Sequence, residues 1–86
     1  MPTVSEFFGI AITMYYREHG VPHFHARYAE YSASIAIDSL EVLEGTLPSR
    51  ALRLVREWAE MYQLHLYDNW ERCKLKLPLK RIDPLS

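Results

Sequence analysis

Three of the chain's four histidines crowd into one short run, His19-Gly-Val-Pro-His-Phe-His-Ala-Arg27, flanked upstream by Tyr15, Arg17 and Glu18. If His23-Phe24-His25 is extended, the two imidazoles point to the same side with their Cα atoms ~7 Å apart. Two chemistries want such a pair. The first is metal binding, with His19 or Glu18 as a third ligand beside His23 and His25. Against it, no Asp lies within ten residues of the run, and Arg17 and Arg27 would repel a dication. The second is phosphate chemistry. Arginine offers a permanent forked charge to phosphate oxygens, histidine titrates near neutrality, and a tyrosine ring stacks on a base. A metal-independent ribonuclease needs these types: a base for the 2′-hydroxyl, an acid for the leaving oxygen and a cation for the developing charge. On that reading His23 and His25 are the catalytic acid/base pair, Arg17 and Arg27 bind phosphate, Tyr15 positions a base, and no cofactor is required. A third reading makes Pro22-His-Phe-His a structural turn and edge, its histidines bonded to backbone or set in a protein–protein contact.

All three readings depend on strands that put these side chains on one face. Residues 7–17 alternate with period two, placing Ile10, Ile12, Met14 and Tyr16 on one side and Ala11, Thr13, Tyr15 and Arg17 on the other. Gly20 and Pro22 interrupt the pattern. It resumes over His23–Tyr28 and again over Tyr31–Ile37, with Ala29-Glu30 as a tight turn between them, and Glu41–Glu44 offers a short fourth strand. From Pro48 the period changes. Leu52, Val55, Ala59, Tyr62, Leu66, Trp70 and Cys73 recur every three or four residues, the apolar stripe of an amphipathic helix over about 48–73. The tail, 74–86, carries two prolines and reads as extended. The expected fold is α+β: a three- or four-stranded antiparallel meander packed on one long C-terminal helix.

Register then decides the chemistry. Placing Ile10, Ile12, Met14 and Tyr16 with Phe24, Ala26, Ile35 and Ile37 under the helix buries both greasy faces. A one-residue slip would expose three large aliphatic side chains, each worth roughly 1.5–3 kcal/mol when buried. This choice sets Arg17 opposite His23 and Tyr15 opposite His25. It leaves Tyr15, Arg17, His23, His25, Arg27, Ser32 and Ser34 together on the open face.

Composition narrows the remaining classes. Eighty-six residues make one domain, and a net charge of −1 means that any anion-binding surface must be a local patch. A single cysteine, Cys73, allows neither an internal disulfide nor a Cys-x-x-Cys zinc motif. The apolar run Phe7–Tyr16 is too short to span a bilayer and has no basic flank ahead of it. The expectation is a cytoplasmic protein without a membrane anchor.

The segments Met1–Ile10, Met14-Tyr-Tyr, His19–Tyr28 and Leu40–Leu52 together resemble a bacterial family known as domain of unknown function four-one-six-zero. Its signature is roughly Pro-Pro-His-Phe-His-Ala, with Val21 here in place of the first proline. The resemblance implies frequent pairing with a second short reading frame, as in toxin–antitoxin operons, and carries no established catalytic residues. The expectation is therefore a component of a two-gene, toxin–antitoxin-like module that binds a small protein encoded next door, with a His/Arg sheet face directed at RNA. The rival is a non-enzymatic adaptor or antitoxin, and a homo-oligomer is compatible with either.

Overall fold

The computed structural model describes residues 2–86. Five strands form one antiparallel sheet in simple sequence order, followed by two helices: β1 (Thr3–Phe7), β2 (Ile10–Thr13), β3 (His23–Tyr28), β4 (Tyr31–Ala36), β5 (Val42–Thr46), α1 (Ser49–Met61) and α2 (Gln63–Leu75). The α+β class stands, with two differences from the sequence reading. The stretch read as one strand over 7–17 is split by a two-residue turn at Phe8-Gly9, both at positive φ (49° and 79°), so that residues 3–7 form a strand of their own. Gly9 alone marks the turn, and the apolar run around it conceals the reversal.

The second difference is the helix. It is not one rod but two, broken at Tyr62 (φ −121°, ψ 27°), where the N–H bonds back to the Ala59 carbonyl at 3.2 Å. No glycine or proline marks the break. Immediately after it, the Gln63 amide donates to the carbonyls of Ile37 (2.8 Å) and Asp38 (3.2 Å), tying the start of α2 to the turn that follows β4. Each helix then buries its own stripe: Ala51, Val55, Trp58 and Ala59 on α1, and Leu66, Asn69, Trp70 and Cys73 on α2. Those spacings run on smoothly across the break, so the apolar period could not reveal it.

The expected inner face holds. Ile10, Ile12, Met14, Phe24, Ala26, Ile35 and Ile37 are all buried, with Trp58 fully enclosed against Phe7 and Phe24. The register, however, is two residues from the expected one. Thr13, not Tyr15, faces His25, and Ala11 faces Arg27. A shift of two preserves every residue's face, which is why the core is unchanged. β2 ends at Thr13, so Arg17 has no strand partner at His23, and Tyr16 enters a turn half-exposed instead of joining the core. The β3–β4 hairpin does turn on Ala29-Glu30, between the paired Tyr28 and Tyr31.

Gly45 is required by its surroundings. It lies at φ +82°, and a Cβ there would stand 2.2 Å from the Ser32 carbonyl oxygen across the β4–β5 ladder. The tail is equally specific. The Asn69 amide, wholly buried, accepts from the Lys80 N–H and donates to the Lys80 carbonyl, both at 2.9 Å. Beyond it the Ile82 N–H reaches the Val4 carbonyl at 2.8 Å, covering the outer side of β1, and Trp58 Nε1 donates to the Asp83 carbonyl. Among the described residues, no helix is long and apolar enough to cross a membrane.

Two stability predictions follow from these contacts. Asn69→Ala strands two backbone groups of Lys80 and should cost about 2–3 kcal/mol in urea denaturation. Gly45→Ala should cost a similar amount, about 2–3 kcal/mol, from backbone strain and the clash with Ser32. Wild-type midpoints for either variant would contradict the assigned contact.

Candidate functional site

The site forms where three elements meet: the start of β3, the 14–22 loop leading into it, and the second half of α2. β3 contributes His23, His25 and Arg27 by strand alternation. The loop turns at Tyr16-Arg17, passes Gly20 at φ +87°, and is anchored where the Pro22 carbonyl accepts from the Ile37 N–H at 3.0 Å. This path lays Glu18 over the two strand imidazoles. Its Oε1 lies 2.6 Å from His25 Nε2 and its Oε2 lies 3.4 Å from His23 Nε2.

Both rings are held from behind as well. His23 Nδ1 stands 2.8 Å from the Val21 carbonyl oxygen. A carbonyl can only accept, so Nδ1 carries a proton and donates it. On His25 the Nδ1 partner is the Ser34 hydroxyl at 3.2 Å. The rings pack edge to face with centroids 5.2 Å apart, and Tyr15 closes on His25 at 4.7 Å. His23 is largely covered by Trp70 of α2, their ring centroids 5.2 Å apart. His25 and Glu18 each keep about a quarter of their side-chain surface open, 27% and 28%.

The five residues singled out from the sequence therefore separate. His25, Tyr15 and Arg27 share a shallow depression of about 410 Å³ on the open sheet face with Thr3, Thr13 and Ser32. Arg27 is exposed and makes no salt bridge among the described residues. Arg17 lies in the turn instead, lining a different hollow of about 230 Å³ with Glu18, His19, Trp70 and Cys73. His23 belongs to neither opening as a free ring. His19 is exposed on the rim of the second hollow and stands outside the three-residue cluster. As for chemistry, two imidazoles that aim their Nε2 atoms at one carboxylate do not divide naturally into a separate acid and base.

Two contributors were poorly visible in the sequence. Glu18 entered only as an optional third ligand, and nothing in its spacing shows that it bridges both rings. Ser34 lacks a sequence-adjacent acid, so its contact with His25 emerges only from the β3–β4 register. Cys73, read as a core residue, is buried as expected, but beside the site. Burial pushes its thiol above the ordinary value of 9.0, and the Glu18 carboxylate adds to the rise.

Fold and site together define a small α+β domain whose sheet carries a carboxylate-bridged histidine pair next to an unpaired arginine. The chain matches the family model described as Domain of unknown function (DUF4160) over residues 9–71 and belongs to that family. No curated protein and no solved structure matches it.

The thiol gives a direct check on this geometry. A pKa raised by folding means that Cys73 stays protonated at pH 8, so iodoacetamide should alkylate native protein far more slowly than the urea-unfolded chain. The sign carries over to stability. The folded thiol holds its proton more tightly, so this contribution is fully present below 9.0 and fades as pH rises through the higher folded value. Glu18→Gln should speed native alkylation. Equal rates in native and unfolded wild type would place Cys73 elsewhere.

Proposed function

We propose that the protein binds RNA on its open sheet face, as the RNA-contacting component of a two-gene module of the toxin–antitoxin type that also engages a small partner protein. The observation that carries the RNA half is the unpaired Arg27 guanidinium beside Tyr15 and His25 in one depression, with the Thr13 and Ser32 positions alongside. A guanidinium without a carboxylate partner is free to take phosphate oxygens. A tyrosine face at the same opening suits a splayed base, and the threonine and serine hydroxyls can bond sugar and phosphate. With a net charge of −1, the chain has no general attraction for polyanions, so affinity must come from this patch.

Binding is favoured over cleavage by the state of the histidines. A general acid and a general base must each present a nitrogen to substrate. In this site His23 is covered by Trp70, and both Nε2 atoms are turned toward Glu18. The partner half rests on the family resemblance. It also suits the exposed apolar residues at the α1–α2 junction and the end of α2, Met61, Leu64, Leu75 and Leu77. These favour an adaptor that presents the helices to a protein and the sheet to RNA.

Fluorescence anisotropy with a labelled single-stranded RNA tests the reading. Arg27→Gln should weaken binding by about tenfold or more and flatten the salt dependence by about one phosphate contact. Tyr15→Ala should weaken it by roughly fivefold or more, while His65→Ala, on the exposed side of α2, should leave it unchanged. RNA affinity indifferent to both Arg27 and Tyr15 would end the proposal.

A further inference from the structure

The geometry points to a divalent transition-metal site, of the class that takes Zn²⁺, formed by Glu18, His23 and His25. This inference stands apart from the RNA reading and uses none of its residues except His25.

The first argument is convergence. Glu18 presents a carboxylate oxygen, and each histidine presents Nε2, with all three ligand atoms within 4.8 Å of one another. The 3.4 Å between Glu18 Oε2 and His23 Nε2 already matches the edge of a tetrahedron built on metal–ligand bonds of about 2.0–2.1 Å, which is about 3.3–3.4 Å. The shorter 2.6 Å contact between Oε1 and His25 Nε2 is a hydrogen bond, and it must lengthen when the shared proton gives way to a metal ion. A small rotation of a side chain that is not tightly buried accomplishes this.

The second argument is the outer shell. A histidine that binds metal through Nε2 almost always donates its Nδ1 proton to a carbonyl, carboxylate or hydroxyl, which fixes both ring orientation and tautomer. His23 does so to the Val21 carbonyl at 2.8 Å, so in its neutral form the Nε2 lone pair is committed to facing Glu18. His25 has the equivalent partner in Ser34 at 3.2 Å. With both rings neutral, two imidazole nitrogens and a carboxylate converge on one point and share only the proton of the His25–Glu18 hydrogen bond. A proton relieves one of these contacts at a time; a dication relieves them together.

The donor set names the metal class. Two imidazoles and one carboxylate suit Zn²⁺, Co²⁺ or Ni²⁺ and are unlike the all-oxygen shells of Ca²⁺ and Mg²⁺. Two neutral rings and one carboxylate leave a net charge of +1 with the ion bound, and Glu18 itself lines a hollow beside Trp70. Arg17 and Lys74 line the same hollow and oppose the ion, so binding is of intermediate strength, not the grip of a structural zinc centre.

The experiment uses the full-length, metal-stripped protein. Titration with Co²⁺ should saturate at one equivalent and develop d–d absorption of low-coordinate N/O ligation, and Zn²⁺ should displace it. His23→Ala, His25→Ala and Glu18→Gln should each weaken binding at least tenfold, Ser34→Ala less so, and His19→Ala or His65→Ala not at all. A readout independent of any variant is the nitrogen chemical shift of the histidine rings in the wild-type protein. Zn²⁺ should move Nε2 of His23 and His25 and leave the rings of His19 and His65 unmoved. Absence of saturable binding by wild type overturns the site. So does binding that survives loss of His23 and His25, or ring shifts confined to His19 and His65.

Discussion

The alternation of side chains along β3 is the constraint on which the rest of the molecule depends. Phe24 and Ala26 must enter the core, where both are fully buried, and this forces His23, His25 and Arg27 to the opposite side of the pleat. Neighbouring strands repeat the choice: Ile10 and Ile12 on β2 and Ala33 and Ile35 on β4 lie inward. Exchanging the two faces would bury the Arg27 guanidinium and the His25 imidazole while exposing Phe24, a cost far beyond what a domain of this size can absorb. The chemistry of the open face is thus held in place by the hydrophobic effect on the other.

Two devices convert that row of polar residues into a site. One is the 14–22 loop, which lays Glu18 over the strand it is about to enter and anchors at Ile37 through the Pro22 carbonyl. The other is the break at Tyr62, which lets α2 bring Trp70 and Cys73 to the same corner while its start is tied by Gln63 to the turn that follows β4. The outcome is asymmetric. One histidine is enclosed beneath an indole and the other is shared between a carboxylate, a hydroxyl and the open depression. Identical side chains two residues apart on one strand have acquired different environments.

The proposals for this corner complement one another. A cation held by Glu18, His23 and His25 would stand at one end of a surface where Arg27 supplies a second positive group, and both would favour a polyanion. The orientation of the rings, Nε2 inward and Nδ1 anchored behind, accounts better for ligand binding than for proton shuttling. The exposed leucines on the helices lie on other elements, so a partner protein and an RNA need not compete.

What the residues alone determined was periodicity and sidedness. Alternation identified three strands, and every residue named inward from it is buried apart from Tyr16, while His23, placed on the open face, is buried too. The facing of His23, His25 and Arg27 follows from local pleating, which is why an error of two in register left it intact. Turns and breaks were less legible. Gly9 was the only signal of the first hairpin, and the apolar stripe runs through Tyr62 without interruption because each half still repeats every three to four residues. Beyond that reach lay everything set by contacts between elements: the bridge from Glu18 to both imidazoles, the Ser34 partner, the Trp70 cover over His23, and the separation of Arg17 from Arg27. These depend on where a loop and a kinked helix come to rest, and that is decided by burial and hydrogen bonding across the whole domain.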